Sequence, residues 1–240
     1  PNSFDPGMYS QFEKNLNIDL SYPVDVGLAS DLNIAGGFEW RDEEFEIGIG
    51  DEASYTVGPL ADQGFSAASN GFPGFGPLAQ GDWSRSNIAA YIDVEADVTD
   101  NWLLAGAMRW EDFDDFGTTT NFKIATHFQA TDWLGLRGTY STGFRAPTPG
   151  QSNAYNVSTE FNLATGDLEN NGTIPSNTAV AGLRGGKALD PEESTNYTFG
   201  GIFQFGDFSV TVDYFNIELT DRLGVSQNFE LTQSEIDALI

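Results

Sequence analysis

The chain has 240 residues, with 36 acidic against 10 basic side chains and a formal charge of −26. That balance excludes nucleic acid as a partner, because phosphate binding needs a basic surface. It also excludes docking on anionic lipid through a polybasic patch. With no cysteine there is no disulfide framework, thiolate metal site or cysteine nucleophile, and no apolar run reaches the ~18 residues of a membrane-spanning helix. The acidity reads first as solubility or saline surroundings, and second as cation attraction at a pore mouth.

From the start, Pro1-Asn-Ser-Phe-Asp-Pro6 reads as loop, and no signal peptide opens the chain. A first strand is predicted over about Gln11 to Val24. Phe12, Leu16, Ile18, Leu20 and Tyr22 share one side, and Glu13, Asn15, Asn17, Asp19 and Ser21 the other. After a short turn, a second strand puts Leu32, Ile34, Phe38 and Trp40 out and Asn33, Glu39 and Arg41 in. It runs on as Asp42-Glu-Glu-Phe-Glu46, read as a wetted extension. A long loop rich in Gly, Pro, Ser and Phe is expected over about 48–84. Strand three has Ile88, Ala90, Ile92, Val94, Ala96 and Val98 on one face, with Asn87, Tyr91, Asp93, Glu95 and Asp97 on the other.

Thr99-Asp-Asn101 turns into strand four, where Trp102, Leu104, Gly106, Met108 and Trp110 face out and Ala105, Ala107, Arg109 and Glu111 face in. A medium loop, Asp112 to Thr119, leads to strand five, with Phe122, Ile124 and Phe128 out and Lys123, His127 and Gln129 in. Strand six shows Leu134, Leu136, Tyr140 and Phe144 out, and Arg137, Thr139, Ser141 and Arg145 in. A second long loop is expected over about 146–191. Strand seven has Tyr197, Phe199, Phe203 and Phe205 out, and Asn196, Thr198 and Gln204 in. Strand eight has Phe208, Val210, Val212 and Tyr214 out, then slips phase so that Phe215, Ile217 and Leu219 share a face. The slip reads as a bulge or as the point where the strand leaves the bilayer. A last outer loop begins at about 223, and Thr232-Gln-Ser-Glu235 is a capping box opening a short helix.

Eight such strands, joined by turns that tend to alternate short and long, fit an all-β, antiparallel up-and-down transmembrane β-barrel, with lipid outside and water inside. Trp102 and Trp133 follow short turns, and Trp40, Trp110 and Phe144 precede longer loops, as two aromatic girdles. Trp102 to Trp110 spans roughly 27 Å along a strand. At a tilt of about 40° that leaves about 20 Å, near the ~25 Å apolar band of such barrels.

No enzyme constellation emerges. His127 is the single histidine and reads as a satisfied inner-wall residue, with no Gly-x-Ser-x-Gly turn to serve. Asp112, Asp114, Asp115 and Gly117 have the wrong spacing for a calcium loop, and Lys123 stands where its final glutamate belongs. No metal or other cofactor is expected. The candidate substrate contacts are Phe72 and Phe75, on the proline-stiffened Gly71-Phe-Pro-Gly-Phe-Gly-Pro77 loop, with Arg41, Arg109 and Glu111 below them at the mouth. Phe72 and Phe75 read equally well as rings that pack their own loop. Glu39, Asp93, Glu95, Lys123, Arg137 and Arg145 are expected to face the lumen, where cross-strand pairs lock the wall.

Four segments carry a family resemblance. Tyr140-Ser-Thr-Gly-Phe-Arg-Ala-Pro-Thr-Pro-Gly-Gln151 resembles the strand-end motif of TonB-dependent outer-membrane receptors. Leu189-Asp-Pro-Glu-Glu-Ser-Thr-Asn-Tyr197 resembles the strand opening that follows it. Trp110-Glu-Asp-Phe-Asp-Asp-Phe-Gly-Thr-Thr-Thr120 and Asp213-Tyr-Phe-Asn-Ile-Glu-Leu-Thr-Asp-Arg222 are similar to that family as well, and all four stand in its order. The resemblance implies a bacterial outer-membrane transporter whose barrel has about 22 strands and a plugged lumen. It also implies a plug domain, a TonB partner that moves the plug, lipid and lipopolysaccharide outside, and a scarce nutrient as cargo: an iron-siderophore, haem, cobalamin or an oligosaccharide. Within it, Arg145 is expected to support the strand end or the plug. Plug, TonB box and terminal aromatic-ended strand are not found in the sequence, so residues 1–240 are expected to be part of such a barrel domain, from its middle to late portion. Two other readings compete: a self-contained eight-stranded barrel with a structural or adhesion role, and a soluble, acidic, carbohydrate-active sandwich. The second would have strands of typically ~5–6 residues.

Overall fold

The computed structural model describes residues 3–60, 63, 65, 73–162 and 166–239. Eight strands form one antiparallel sheet in the order β1 (Met8–Val24), β2 (Leu32–Gly48), β3 (Gly81–Thr99), β4 (Trp102–Phe113), β5 (Gly117–Thr131), β6 (Leu134–Arg145), β9 (Glu192–Phe205) and β10 (Phe208–Thr220). The strands run to 12–19 residues, far beyond the sandwich lengths. Among the described residues β1 and β10 are the two edges and do not pair with each other, so the sheet is an open wall and these eight strands do not close. No helix among the described residues is long and apolar enough to cross a membrane, which says nothing about crossing by strands.

The register fixes the two faces. The row Tyr22, Ile34, Val94, Gly106, Ile124, Tyr140, Tyr197 crosses seven strands on one face. The parallel row Ser21, Ala35, Asp93, Ala107, Lys123, Ser141, Asn196 crosses the same strands on the other. A period of two keeps each face chemically uniform, because a one-residue slip would turn a strand's whole apolar set over. Ile92, Met108 and Ile124 are exposed on the apolar face, at 47%, 51% and 57%. Its short-turn end carries Trp102, Phe128, Trp133, Phe205 and Phe208, with Trp133 stacked on Phe205 at 6.1 Å.

The two long connections, β2–β3 and β6–β9, share one end with the tight β4–β5 turn, and the β1–β2, β3–β4, β5–β6 and β9–β10 turns lie at the other, as antiparallel neighbours require. The stretch after β2 holds a one-turn helix, α1 (Glu52–Tyr55), and β3 begins at Gly81, inside the expected loop. The 146–191 stretch is also more ordered than a loop. It contains α2 (Pro149–Asn153), a separate hairpin of β7 (Asn156–Asn162) with β8 (Asp167–Thr173), and α3 (Ala179–Gly182). A terminal helix, α4 (Gln233–Leu239), follows Thr232.

Two local expectations are corrected. The medium loop over 112–119 is a three-residue turn, Asp114 to Phe116, closed by Gly117 at φ +90°, a left-handed value that glycine adopts without strain. The phase slip at Tyr214-Phe215 is not a bulge. β10 pairs with β9 without a register shift from Phe208 to Thr220, so Phe215, Ile217 and Leu219 simply lie on the inner face. The irregularities between strands lie instead at the short turns, at Asp97/Thr99 and Gln129/Thr131.

Candidate functional site

The inner face is built from residues at alternate positions, and it concentrates charge toward the long-loop end. Glu39, Ala89 and Glu111 form one row across β2, β3 and β4. Arg109 sits one row below. Its Nη2 donates to Glu39 at 3.1 Å, and its Nε to Glu111 at 2.7 Å, bridging the two carboxylates over the small Ala89. Arg41 donates to Glu39 at 2.9 Å and to the Asn15 amide oxygen at 3.1 Å. Asn87 donates to Glu111 at 3.1 Å. Three residues expected at the mouth, Arg41, Arg109 and Glu111, therefore form one continuous network with Glu39, expected to face the lumen.

Above that network lies the most buried ion pair. Arg85 and Glu43 are 5% and 7% exposed. The Arg85 guanidinium donates to Glu43, and to the carbonyl of the fully buried Pro147, and lies 5.3 Å from the Phe113 ring centroid. Asp115 stands 3.8 Å from the same guanidinium. Burial pushes the Asp115 carboxyl up, and Arg85 opposes the shift. Sequence reasoning missed Arg85. It is two residues before Asn87 on the inward face, so continuing the alternation upstream finds it. Glu43 corrects the wetted-extension reading: Asp42, Glu44 and Glu46 alternate away, while Glu43 is enclosed.

Other inward charges are arranged in two ways. Arg137 and Asp213 pair across the wall over Gly200, the residue between them in the row. A Cβ on Gly200 would stand 1.9 Å from the Asp213 carboxylate. Tyr91 reaches Asp19 at 2.7 Å over Gly37 in the same manner. Asp93, Glu95 and Lys123 face inward without an ion pair among the described residues, and Asp93 and Lys123 flank Ala107 in one row. His127 lies opposite Arg137, and its buried Nε2 finds no partner among the described residues, so the satisfied inner-wall histidine is not what the structure shows.

At the strand ends, Arg145 Nε donates to Glu192 at 2.7 Å, and the other Glu192 oxygen accepts the Leu223 N–H at 2.8 Å. The two sequence motifs that precede and follow the long excursion thus meet in one charge-assisted contact. Phe75 packs edge-on against Tyr9 at 6.4 Å, and its N–H donates to the Pro6 carbonyl at 2.8 Å, which holds the loop to the chain's beginning. Phe72 lies outside the described residues. Farther out, Arg184 after α3 pairs with Glu235 of α4 and donates to the Glu230 carbonyl at 3.1 Å. Arg184, with the Thr232 N–H and hydroxyl, holds the Glu235 carboxyl down at about 2.

This arrangement is an amphipathic wall with an apolar outer surface, aromatic ends and an inner surface on which most charges are paired. It is the wall of a large outer-membrane barrel. Residues 2–234 match the family model described as TonB dependent receptor-like, beta-barrel, and the chain belongs to that family. Its place is the bacterial outer membrane. The vitamin B12 transporter BtuB of Vibrio cholerae serotype O1 is 24% identical over 228 residues, 93% of this chain and 28% of that protein. The crystal structure of the siderophore receptor PirA from Acinetobacter baumannii superposes with a TM-score of 0.60 at 20% identity, covering 89% of this chain and 28% of that one. PirA from Pseudomonas aeruginosa gives 0.64 at 15% identity, over 89% and 33%. The chain thus spans about a third or less of these proteins. They are transporters and receptors, not enzymes.

Proposed function

We propose that this chain is wall and outer-mouth structure of a TonB-dependent transporter that takes up a scarce nutrient across the outer membrane. The observation that carries this reading is the seven-strand row pair, apolar on one face and polar on the other, within a sheet left open at both edges for further strands. Lipid and lipopolysaccharide cover the apolar face. A plug domain fills the lumen and meets the unpaired inward charges Asp93, Glu95 and Lys123. TonB acts on the plug rather than on this wall. Arg41, Arg109 and Glu111 shape the mouth through their shared network, and Phe72 and Phe75 are candidate contacts for the solute. Cobalamin and siderophores, the cargoes in the relatives' names, head the candidate nutrients.

The test is energy-dependent uptake. Cells carrying the intact receptor are given labelled cobalamin and ferric siderophores, with and without TonB. Uptake of one of these that disappears without TonB supports the reading. Accumulation that is the same in both strains removes it.

A further inference from the structure

A cleft of about 310 Å³ lies between α2 and the β1–β2 hairpin on the inner face, beside the mouth network. Its strand side is the cross-strand pair Gln11 and Phe45, and its helix side is Pro149, Gly150, Gln151 and Ala154. The helix is fixed in place. Thr148 accepts the Gln151 N–H at 3.2 Å, and the Gln151 side chain accepts the Thr148 N–H at 3.0 Å. Arg85 holds the carbonyl of Pro147 immediately before it. Gly150 lies against the Phe45 ring, so closely that a Cβ there would stand 3.3 Å from it. Phe45 in turn stacks on Trp83 at 6.1 Å and leans on Tyr9 at 6.5 Å. The cleft is therefore preformed, with an aromatic side and an amide-bearing rim, the usual make-up of a small-molecule site.

Charge decides what it accepts. Its lining has no cation: Glu43 there is held by Arg85, and Glu44 lines it while turning its side chain to the other face of β2. The nearest guanidinium, Arg85, is committed to Glu43 and Pro147. Eight of the chain's ten basic residues are ion-paired within the chain, so this wall offers little to an anion.

We propose that this cleft is a subsite for a flat ring of the transported solute, and that the ring it takes is neutral or cationic, not anionic. The proposal rests on the transport reading. The test uses the intact receptor in lipid nanodiscs and three probes of one shape: 4-nitrobenzyl alcohol, 4-nitrophenyl-trimethylammonium and 4-nitrobenzenesulfonate. The alcohol and the ammonium should bind at least about fivefold tighter than the sulfonate, since the field of a chain at −26 repels an anion and no cation in the cleft offsets it. Ala154→Phe, which fills the cleft from the helix, should weaken both by about tenfold or more by displacing the ring. Gln11→Trp fills it from the strand and should do the same should the first variant not fold, folding being read from the heat shift in electrophoresis. Equal binding of the sulfonate, or unchanged affinity in the folded filled variants, overturns the proposal. Probe binding without TonB-dependent uptake removes the transport reading alone, and uptake without probe binding removes the subsite alone.

Discussion

Ile124→Arg is the sharpest probe of the apolar face. Ile124 is opposite Gly106 in the register, and Gly106 is midway between Trp102 and Trp110. Those indoles mark the two aromatic ends, about 20 Å apart along the barrel normal after a tilt of about 40°. Ile124 is then about 10 Å from either end, at the midplane. It is 57% exposed, and Gly106 beside it has no side chain to shelter a guanidinium. Arginine at the midplane of a lipid-facing strand costs about 2–4 kcal/mol, falling to about 0–1 near an interface. Thr120 supplies the control, since it is on the same strand and face, opposite Trp110 at the girdle. Guanidinium unfolding of the intact receptor in phospholipid vesicles should show Ile124→Arg at least about 2 kcal/mol less stable than Thr120→Arg, the depth dependence of lipid exposure. Equal losses in the two variants would refute the assignment of that face to lipid.

Three further outcomes are expected. Removing one partner of the buried pair, by Arg85→Ala, should cost about 3–5 kcal/mol in the same titration, whereas Arg85→Met combined with Glu43→Leu should recover most of it. Gly200→Val should destabilise by about 1–3 kcal/mol, because its branches occupy the path of Asp213 toward Arg137; a double-mutant cycle with Arg137→Ala should show the two changes to be non-additive. The contact between α4 and Arg184 should depend on acid. The Glu235 carboxyl is lowered from an ordinary 4.5 to about 2. Its contribution is therefore complete above about 4.5 and is lost as pH falls through about 2. Pepsin should begin to cleave the segment after Thr220 only toward the bottom of that window, and at a higher pH in Arg184→Ala. Cleavage independent of both pH and Arg184 would separate the helix from this contact.

The eight wall strands were legible in the sequence because period two persists wherever one face is apolar. Legibility fails where the strands outrun that face. At Asp82-Trp-Ser-Arg-Ser86 both faces are polar or enclosed by loops, so the alternation loses its contrast and Arg85 passes unnoticed. At Phe215, Ile217 and Leu219 the chemistry changes face while the backbone pairing does not, and this imitates a slip. The β7–β8 hairpin and α2 lie in Ser-, Thr- and Asn-rich sequence, and the order of α2 comes from its cap and from Arg85, a residue about 60 positions away. Of the candidate site, the mouth residues Arg41, Arg109 and Glu111 and the lumen residue Glu39 were readable by face. Their partnership was not, because it depends on the register between strands.

Three of the inward contacts have a common direction. Arg137 with Asp213, Tyr91 with Asp19, and Arg109 with Glu39 all reach sideways across neighbouring strands, over a glycine or a small side chain. Each acts like a stave hoop around a cask. Load applied along the axis passes by these ties with little tension in them. Swelling or flattening of the bore would stretch them directly. These ties therefore stiffen the wall against a change in the width of the bore.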